Sequence, residues 1–421
     1  RRGRRMSARA RVGPAHLALF TSLYAVQGVV IAYFINFNQL YMEASGVGPA
    51  TIGSVQSLAL TPLILKFLGG PVSDRVNLLG LGHRKPYIIL GLILQTLGLL
   101  GLAWVSAGTH LGGFTAIAIV TVTGLAFYDT CCDGMVIDVT PPDDRSRMQG
   151  TLVAARFLAT MVCSSLFGLL LDGGDTEPDP RRYHRVLWIC AGLGLIPLVQ
   201  APLAREPKRA ADAERFQWAA LRVLIAPRSF ALLAFGAVYA IVAYGVEINL
   251  SPYYNAIRFK ERSIGALASV RYIGRAAGAA LLPLAMPRLG RRRVLALGIA
   301  ALAASTAGQA AVGGTGSAGL WGFAFGAANG WDDAAFCVLA MEASDPRMAA
   351  STFALFMAVS NVSVAGGWLF ARGNAALGDR YVPAFLLAGL LALVALPLIP
   401  PLGRRPAPAP EPSRGPHDVD A

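Results

Sequence analysis

Twelve mostly apolar blocks recur down this chain, each close to the ~20 residues that cross the hydrocarbon core of a bilayer. No other feature constrains the fold as strongly. Inside lipid, every backbone polar group must be satisfied within its own segment, so such blocks fold as helices. The spacing predicts helices at 16–41, 50–70, 86–107, 112–138, 147–171 and 184–203. A second set is expected at 229–254, 263–286, 293–312, 317–342, 348–371 and 381–401. Of the 421 residues, 55% are hydrophobic and only 14% charged, against roughly a quarter charged in soluble domains. The chain reads as an all-α membrane protein of twelve transmembrane helices in two six-helix bundles.

The net charge of +13 would suit a nucleic-acid partner if it lay on one soluble face. It lies instead in short clusters between the blocks, so no nucleic acid is expected. The clusters are the arm RRGRRMSARARVG, the 71–85 loop with Arg75, Arg84 and Lys85, the 143–147 loop with Arg145 and Arg147, the connector, RLGRRR at 288–293, and Arg404–Arg405. With twelve spans all of these share one side. The excess of positive charge marks that side as cytoplasmic. Both termini are then expected in the cytoplasm of a cell whose inner (plasma) membrane holds a multi-pass protein. Arg181 and Arg182, and RFKER at 258–262, stand on the other side as exceptions. The basic arm and the length of the first block argue against a cleavable signal peptide.

Five segments follow: a basic cytoplasmic arm at 1–15, a six-helix bundle at 16–203, a cytoplasmic connector at 204–228, a second bundle at 229–402 and a Pro-rich disordered tail at 403–421. The five cysteines all fall inside apolar blocks without CxxC spacing or neighbouring histidines, so buried free thiols are expected rather than a metal site or disulfides.

Two sets of six around a connector suggest a duplicated unit. PVSDRVNLLGLGHRKP, between the second and third helices, has PRLGRRR in the equivalent place of the second half. YDTCCDGMVIDVTPPDDRSRMQG matches WDDAAFCVLAMEASDPRMAAS. Each gives an acidic turn, an apolar stretch, an acid at the interface, a Pro loop and then Arg-Met. The loop resembles the helix 2–3 signature of the major facilitator superfamily, G-x-x-x-D-R-x-G-R-R. Gly70, Asp74 and Arg75 match its first half, and NLLGLG displaces the second. The run AAFCVLAMEASDPRMAASTFALFMAVSN, with D-x-x-x-D-G in helix 4, is similar to the branch of muropeptide permeases and acetyl-coenzyme A transporters. That branch also holds folate–biopterin carriers, siderophore importers and light-harvesting complex assembly factors, so the resemblance leaves the cargo open. It implies two bundles rocking about a central polar site, with Asp74 and Arg75 as a latch of the outward-facing state.

Eight ionisable residues fall within the predicted spans: Asp129 and Asp133, Arg156, Glu247, Arg271 and Arg275, Asp332 and Asp333. Each costs about 2.5–3.5 kcal/mol near a bilayer centre, so together they would cost on the order of 20–28 kcal/mol, more than a typical domain's whole stability. They must pair, be neutral or line a wet passage. Asp129 and Arg156 lie at a similar depth, about 13 Å in at 1.5 Å per residue, which suggests an ion pair between helices 4 and 5. Asp133 is on the same face one turn nearer the cytoplasm, within reach of Lys66 or of Asp74 and Arg75. These could equally form a purely structural latch. Glu247 and Arg271 both descend from the outer side and could pair, leaving Arg275 for an anionic cargo. Alternatively both arginines pair only with protein acids. Asp332 and Asp333 stand about 100° apart on their helix, so at most one faces a central site.

Membrane carboxylates can carry protons when nothing holds their charge, which makes Glu247, Asp129, Asp332 and Asp333 the proton-coupling candidates. Arg271, Arg275, Tyr33, Asn36, Tyr244, Asn329 and Asn361 are the substrate-binding candidates. The chain has no G-x-x-x-x-G-K-[ST] loop, and GGTGSAG at 313–319 lacks the lysine and reads as a turn. No cofactor, metal or ATP is expected. No nucleophile–base set points to an enzyme. The reading is a monomeric secondary transporter of a small metabolite, coupled to H+. The rival is a non-transporting membrane assembly factor of the light-harvesting-complex type.

Overall fold

The computed structural model describes residues 12–66, 72–73, 76–80, 82–141, 145–173, 179–206, 226–343 and 349–403. Twelve helices run through these residues: α1 (Pro14–Ala44), α2 (Pro49–Leu65), α3 (Lys85–Leu102), α4 (Leu111–Val139), α5 (Arg145–Leu171), α6 (Pro180–Leu203), α7 (Pro227–Ala256), α8 (Glu261–Leu289), α9 (Arg291–Ala311), α10 (Thr315–Ala343), α11 (349–376) and α12 (Tyr381–Leu402). Nine are long and apolar enough to cross a membrane, and α2 is a shorter apolar helix. The other two, α8 and α10, have 29 residues each. Arg271 and Arg275 on α8, and the glycines and Asp332–Asp333 on α10, dilute their apolarity without shortening them. Gly70, Asp74 and Arg75 lie outside the described residues, as do the 1–11 arm, most of the connector and the 404–421 tail.

Local chemistry sets several helix starts. Proline occupies the first turn of α1, α2, α6 and α7, where its missing N–H costs nothing. Asp179 caps α6 by accepting the backbone N–H of Arg181 at 2.9 Å. The helix therefore begins at Pro180 and not at 184, and takes in Arg181 and Arg182. α1 continues past the expected 41 but bends at Phe37 (φ −127°, ψ −22°). Four of the five cysteines are buried, Cys337 is half-buried, and all are free.

Close crossings rest on glycine. A Cβ at Gly326 would stand 2.0 Å from the carbonyl oxygen of Arg271, and one at Gly330 1.9 Å from that of Arg275. Small residues let membrane helices approach closely in this way, and here they draw α8 onto α10 at the two arginines. Gly330→Val is expected to destabilise the protein by more than the ~1–3 kcal/mol of ordinary overpacking, because the clash is with backbone. Thermal unfolding in detergent micelles measures it.

The two halves also meet glycine to glycine. A Cβ at Gly168 on α5 would lie 2.9 Å from the Cα of Gly265 on α8, and one at Gly53 on α2 2.3 Å from the Cβ of Ala371 on α11. Ser165 and Ser269 hydrogen-bond across the same seam at 2.7 Å, and the Ser269 hydroxyl also donates to the Met161 carbonyl at 2.6 Å. All of these contacts lie toward the membrane face opposite the termini.

Candidate functional site

Two clusters of charge lie inside the bundle, one in each half. In the first, Lys66 at the end of α2 donates to Asp129 on α4 at 3.1 Å. One turn on, Asp133 accepts the hydroxyl of Tyr24 from α1 in a short hydrogen bond. The guanidinium of Arg156 on α5 lies 5.9 Å from the centre of the Tyr24 ring and 5.3 Å from that of Phe157. Among the described residues its one hydrogen-bond acceptor is Gln27 Oε1, at 3.5 Å.

The second cluster is a ladder. Glu247 on α7 lies between Arg271 (3.6 Å) and Arg275 (3.2 Å) on α8. Arg275 reaches on to Asp333 on α10 with two N–H groups, at 2.5 and 3.1 Å. Tyr239 on α7 donates to the other oxygen of Asp333 at 3.2 Å. Arg271 crosses between the halves, donating to the Asn36 side chain on α1 at 2.5 Å. Asp129, Glu247 and Arg271 are each under 5% exposed, so they face their partners and not lipid or bulk water.

The clusters repeat one design. The first helix of each half lends a tyrosine, Tyr24 or Tyr239, to an acid of the fourth. The second helix lends a cation, Lys66 or Arg275, to that same fourth helix. A second pair of matching contacts lies nearer the termini. Arg84 faces Asp138 at 3.7 Å in one half, and Arg291 faces Glu342 at 2.5 Å in the other, with Arg228 4.0 Å away. Asp138 and Glu342 are the interface acids of the two repeated sequence segments.

Several sequence expectations need correction. Asp129 pairs with Lys66 and not with Arg156, and among the described residues Arg156 has no carboxylate within 4.0 Å. Asp133 bonds Tyr24, and the loop residues Asp74 and Arg75 lie outside the described residues. The Glu247–Arg271 contact is present, but Arg275 is not free, since it holds both Glu247 and Asp333. Of the adjacent acids, Asp333 faces the ladder, while Asp332 is fully buried against Gly298 of α9. Its two oxygens have no hydrogen-bond partner among the described residues.

Tyr33 is turned into the first half beside Tyr41, Tyr183 and Cys190, its hydroxyl unpartnered among the described residues. Tyr244 lies next to Glu247 and Tyr272. Asn329 is buried one turn from Asp333, and Asn361 is half-buried on α11. Among the described residues, Asn36 is the asparagine candidate with a hydrogen bond to a charged group of these clusters.

Sequence reasoning missed Tyr24 and Tyr239, which only the duplication could have flagged. It also missed Glu206, at the start of the connector. Its carboxylate accepts the backbone N–H groups of His83, Arg84 and Lys85 at 2.7–3.0 Å. That closes the N-terminus of α3, where a negative charge is favoured. Glu206→Ala should cost about 1 kcal/mol of stability, the usual loss of a helix cap. Urea unfolding monitored by tryptophan fluorescence checks it.

Comparison with known proteins places this arrangement. The folate-biopterin transporter of Synechocystis sp. is 27% identical over 164 residues, 38% of this chain and 33% of that protein. The anhydromuropeptide permease of Escherichia coli is 27% identical over 191 residues, 45% of this chain and 37% of that one. The matched stretch thus spans about a third of the curated relatives. Among solved structures, an inward-facing bacterial homolog of the human lysosomal transporter Spinster superposes with a TM-score of 0.72 at 16% identity, over 94% of this chain and 98% of that one. A D-xylose–proton symporter gives 0.72 at 13%, over 93% and 99%. The nucleoside transporter NupG also gives 0.72 at 13%, over 92% and 99%. Likeness at such identity shows the fold alone, a bundle of membrane-spanning helices. The model of the Major Facilitator Superfamily matches residues 17–260, more than half of the sequence, and the chain belongs to that family.

Proposed function

We propose that the chain moves a small organic solute across the inner (plasma) membrane by alternating access, driven by protons, with both termini in the cytoplasm. The observation that carries this reading is the ladder Arg271–Glu247–Arg275–Asp333, tied across the halves by Arg271 to Asn36. A scaffold has no need to hold four charges amid hydrocarbon, each costing about 2.5–3.5 kcal/mol. A carrier needs polar contacts between its bundles that can break and re-form as they rock.

Coupling is assigned by what each acid already holds. Glu247, Asp129 and Asp333 each hold a cation, so taking a proton would first break an ion pair. Asp332 is sealed between α9 and α10. Asp133 bonds only a tyrosine among these groups and lies on the α1 side of the first cluster. It becomes the coupling acid, in preference to the earlier candidates. The relatives' names make a pterin and an anhydromuropeptide the first cargoes to try.

Counterflow in proteoliposomes tests the reading. Radiolabelled cargo should accumulate transiently against its gradient when unlabelled cargo is loaded inside. A purified protein that moves neither compound, yet co-purifies with a pigment–protein complex, supports the assembly-factor alternative.

A further inference from the structure

We propose that Arg156 is the anion-binding residue of this site, and that the cargo carries a carboxylate or phosphate group. The inference rests on the transporter reading above and deepens it. Of the described cations in the two central clusters, Lys66, Arg271 and Arg275 each contact a carboxylate at 3.6 Å or less. Arg156 contacts none within 4.0 Å. A guanidinium has five N–H donors, and here one reaches a side-chain amide at 3.5 Å. The residue is half-buried, and among the described residues its other donors have no acceptor, so they stay open to one from outside the protein.

The position suits a ligand. The Phe157 ring receives Arg156 from its own half and Arg275 of the other half, at 5.3 and 5.6 Å. Arg156 therefore lies on the seam that opens and closes. Tyr24 and Phe157 flank the guanidinium with aromatic faces. They leave its edge as the place where a bidentate oxyanion docks, the geometry that arginine favours over lysine.

Charge balance links this site to the proton. Facing Asp133 are Tyr24 from α1, Lys66 from α2, Arg156 from α5, and Asp129 and Cys132 on its own helix; Arg84, at the start of α3, lies against the adjacent Gly134. With Lys66 held by Asp129, the remaining charges of the first cluster are Arg156 and Asp133. A proton on Asp133 leaves the Arg156 charge uncompensated, and an anion beside it restores neutrality. Proton and anion then load together.

The test uses the full chain in detergent with benzoate, its neutral isostere benzamide, and inorganic phosphate. Each is added on the order of tens of millimolar, enough to fill a site with a Kd of about 1 mM. Benzoate or phosphate should raise the unfolding temperature of the wild type while benzamide does not, and the two anions separate carboxylate from phosphate preference. Arg156→Gln should abolish the rise and Arg156→Lys keep part of it. No anion effect in the wild type, or an equal effect in Arg156→Gln, overturns the proposal. Transport keeps the two readings apart. If the wild type carries a cargo and Arg156→Gln carries it with unchanged KM, the anion site fails and the transporter stands. If anions bind through Arg156 but nothing moves, the transporter reading fails and the site stands. A KM raised at least tenfold in Arg156→Gln, partly restored in Arg156→Lys, supports both.

Discussion

Glu247→Leu is expected to destabilise the protein by about 3–5 kcal/mol, the cost of stranding a buried charge whose partner has been removed. The second cluster holds two arginines and two acids. Without Glu247, Arg275 keeps Asp333, but Arg271 keeps only the neutral Asn36, and its side chain is 3% exposed. The opposite deletion is milder. Arg271→Met leaves Glu247 with Arg275, and the excess negative charge falls on Asp333, whose side chain is 35% exposed and open to hydration. The double variant should recover much of the loss, since an apolar pair of similar volume often replaces a buried ion pair at little cost. Thermal or denaturant unfolding of the three variants in micelles tests this. Equal losses for Glu247→Leu and Arg271→Met, or simple additivity in the double variant, would show that the ladder is not a coupled unit.

The helices were legible because their signal is one of length, and lipid leaves a twenty-residue apolar block little choice but to coil. The Glu247–Arg271 contact was legible too, because both residues could be counted down from the same membrane face. The same counting failed for Asp129 and Arg156. Depth fixes height along a helix but not the direction a side chain takes around the bundle, and Lys66 reaches Asp129 from the end of a helix broken at Thr61–Pro62. Of the two readings open for Arg275, free for a cargo or paired with protein acids, the second holds, for a reason one helix does not carry. Gly326 and Gly330 bring α10 against the backbone of α8, so Asp333 arrives within bonding distance. The closeness of two helices belongs to the pair and cannot be read from either alone. The 100° between Asp332 and Asp333 is a property of one helix, and it correctly separates the acid on the ladder from the one sealed against α9.

Asp133→Asn is expected to leave the protein folded and to uncouple uptake from the proton gradient. Asparagine keeps an oxygen of the same shape that can accept the Tyr24 hydroxyl, so the helix contact survives while the proton site is lost. For one proton per cargo, each pH unit across the membrane adds about 1.4 kcal/mol of driving force, or roughly tenfold in accumulation. Wild-type proteoliposomes should gain that factor when the loading side is one unit more acidic. The variant should show almost none of it and still exchange labelled for unlabelled cargo, because exchange needs no net proton movement. The sign is fixed: acid on the loading side drives uptake in the wild type, and acid inside opposes it. If the cargo is a monoanion held by Arg156, proton and cargo together carry no net charge, so an imposed membrane potential should not change the rate. A variant that keeps its tenfold response to pH moves the coupling acid elsewhere. The next candidate is then Glu247, where a proton would release Arg271 and Arg275 together and loosen the tie to Asn36.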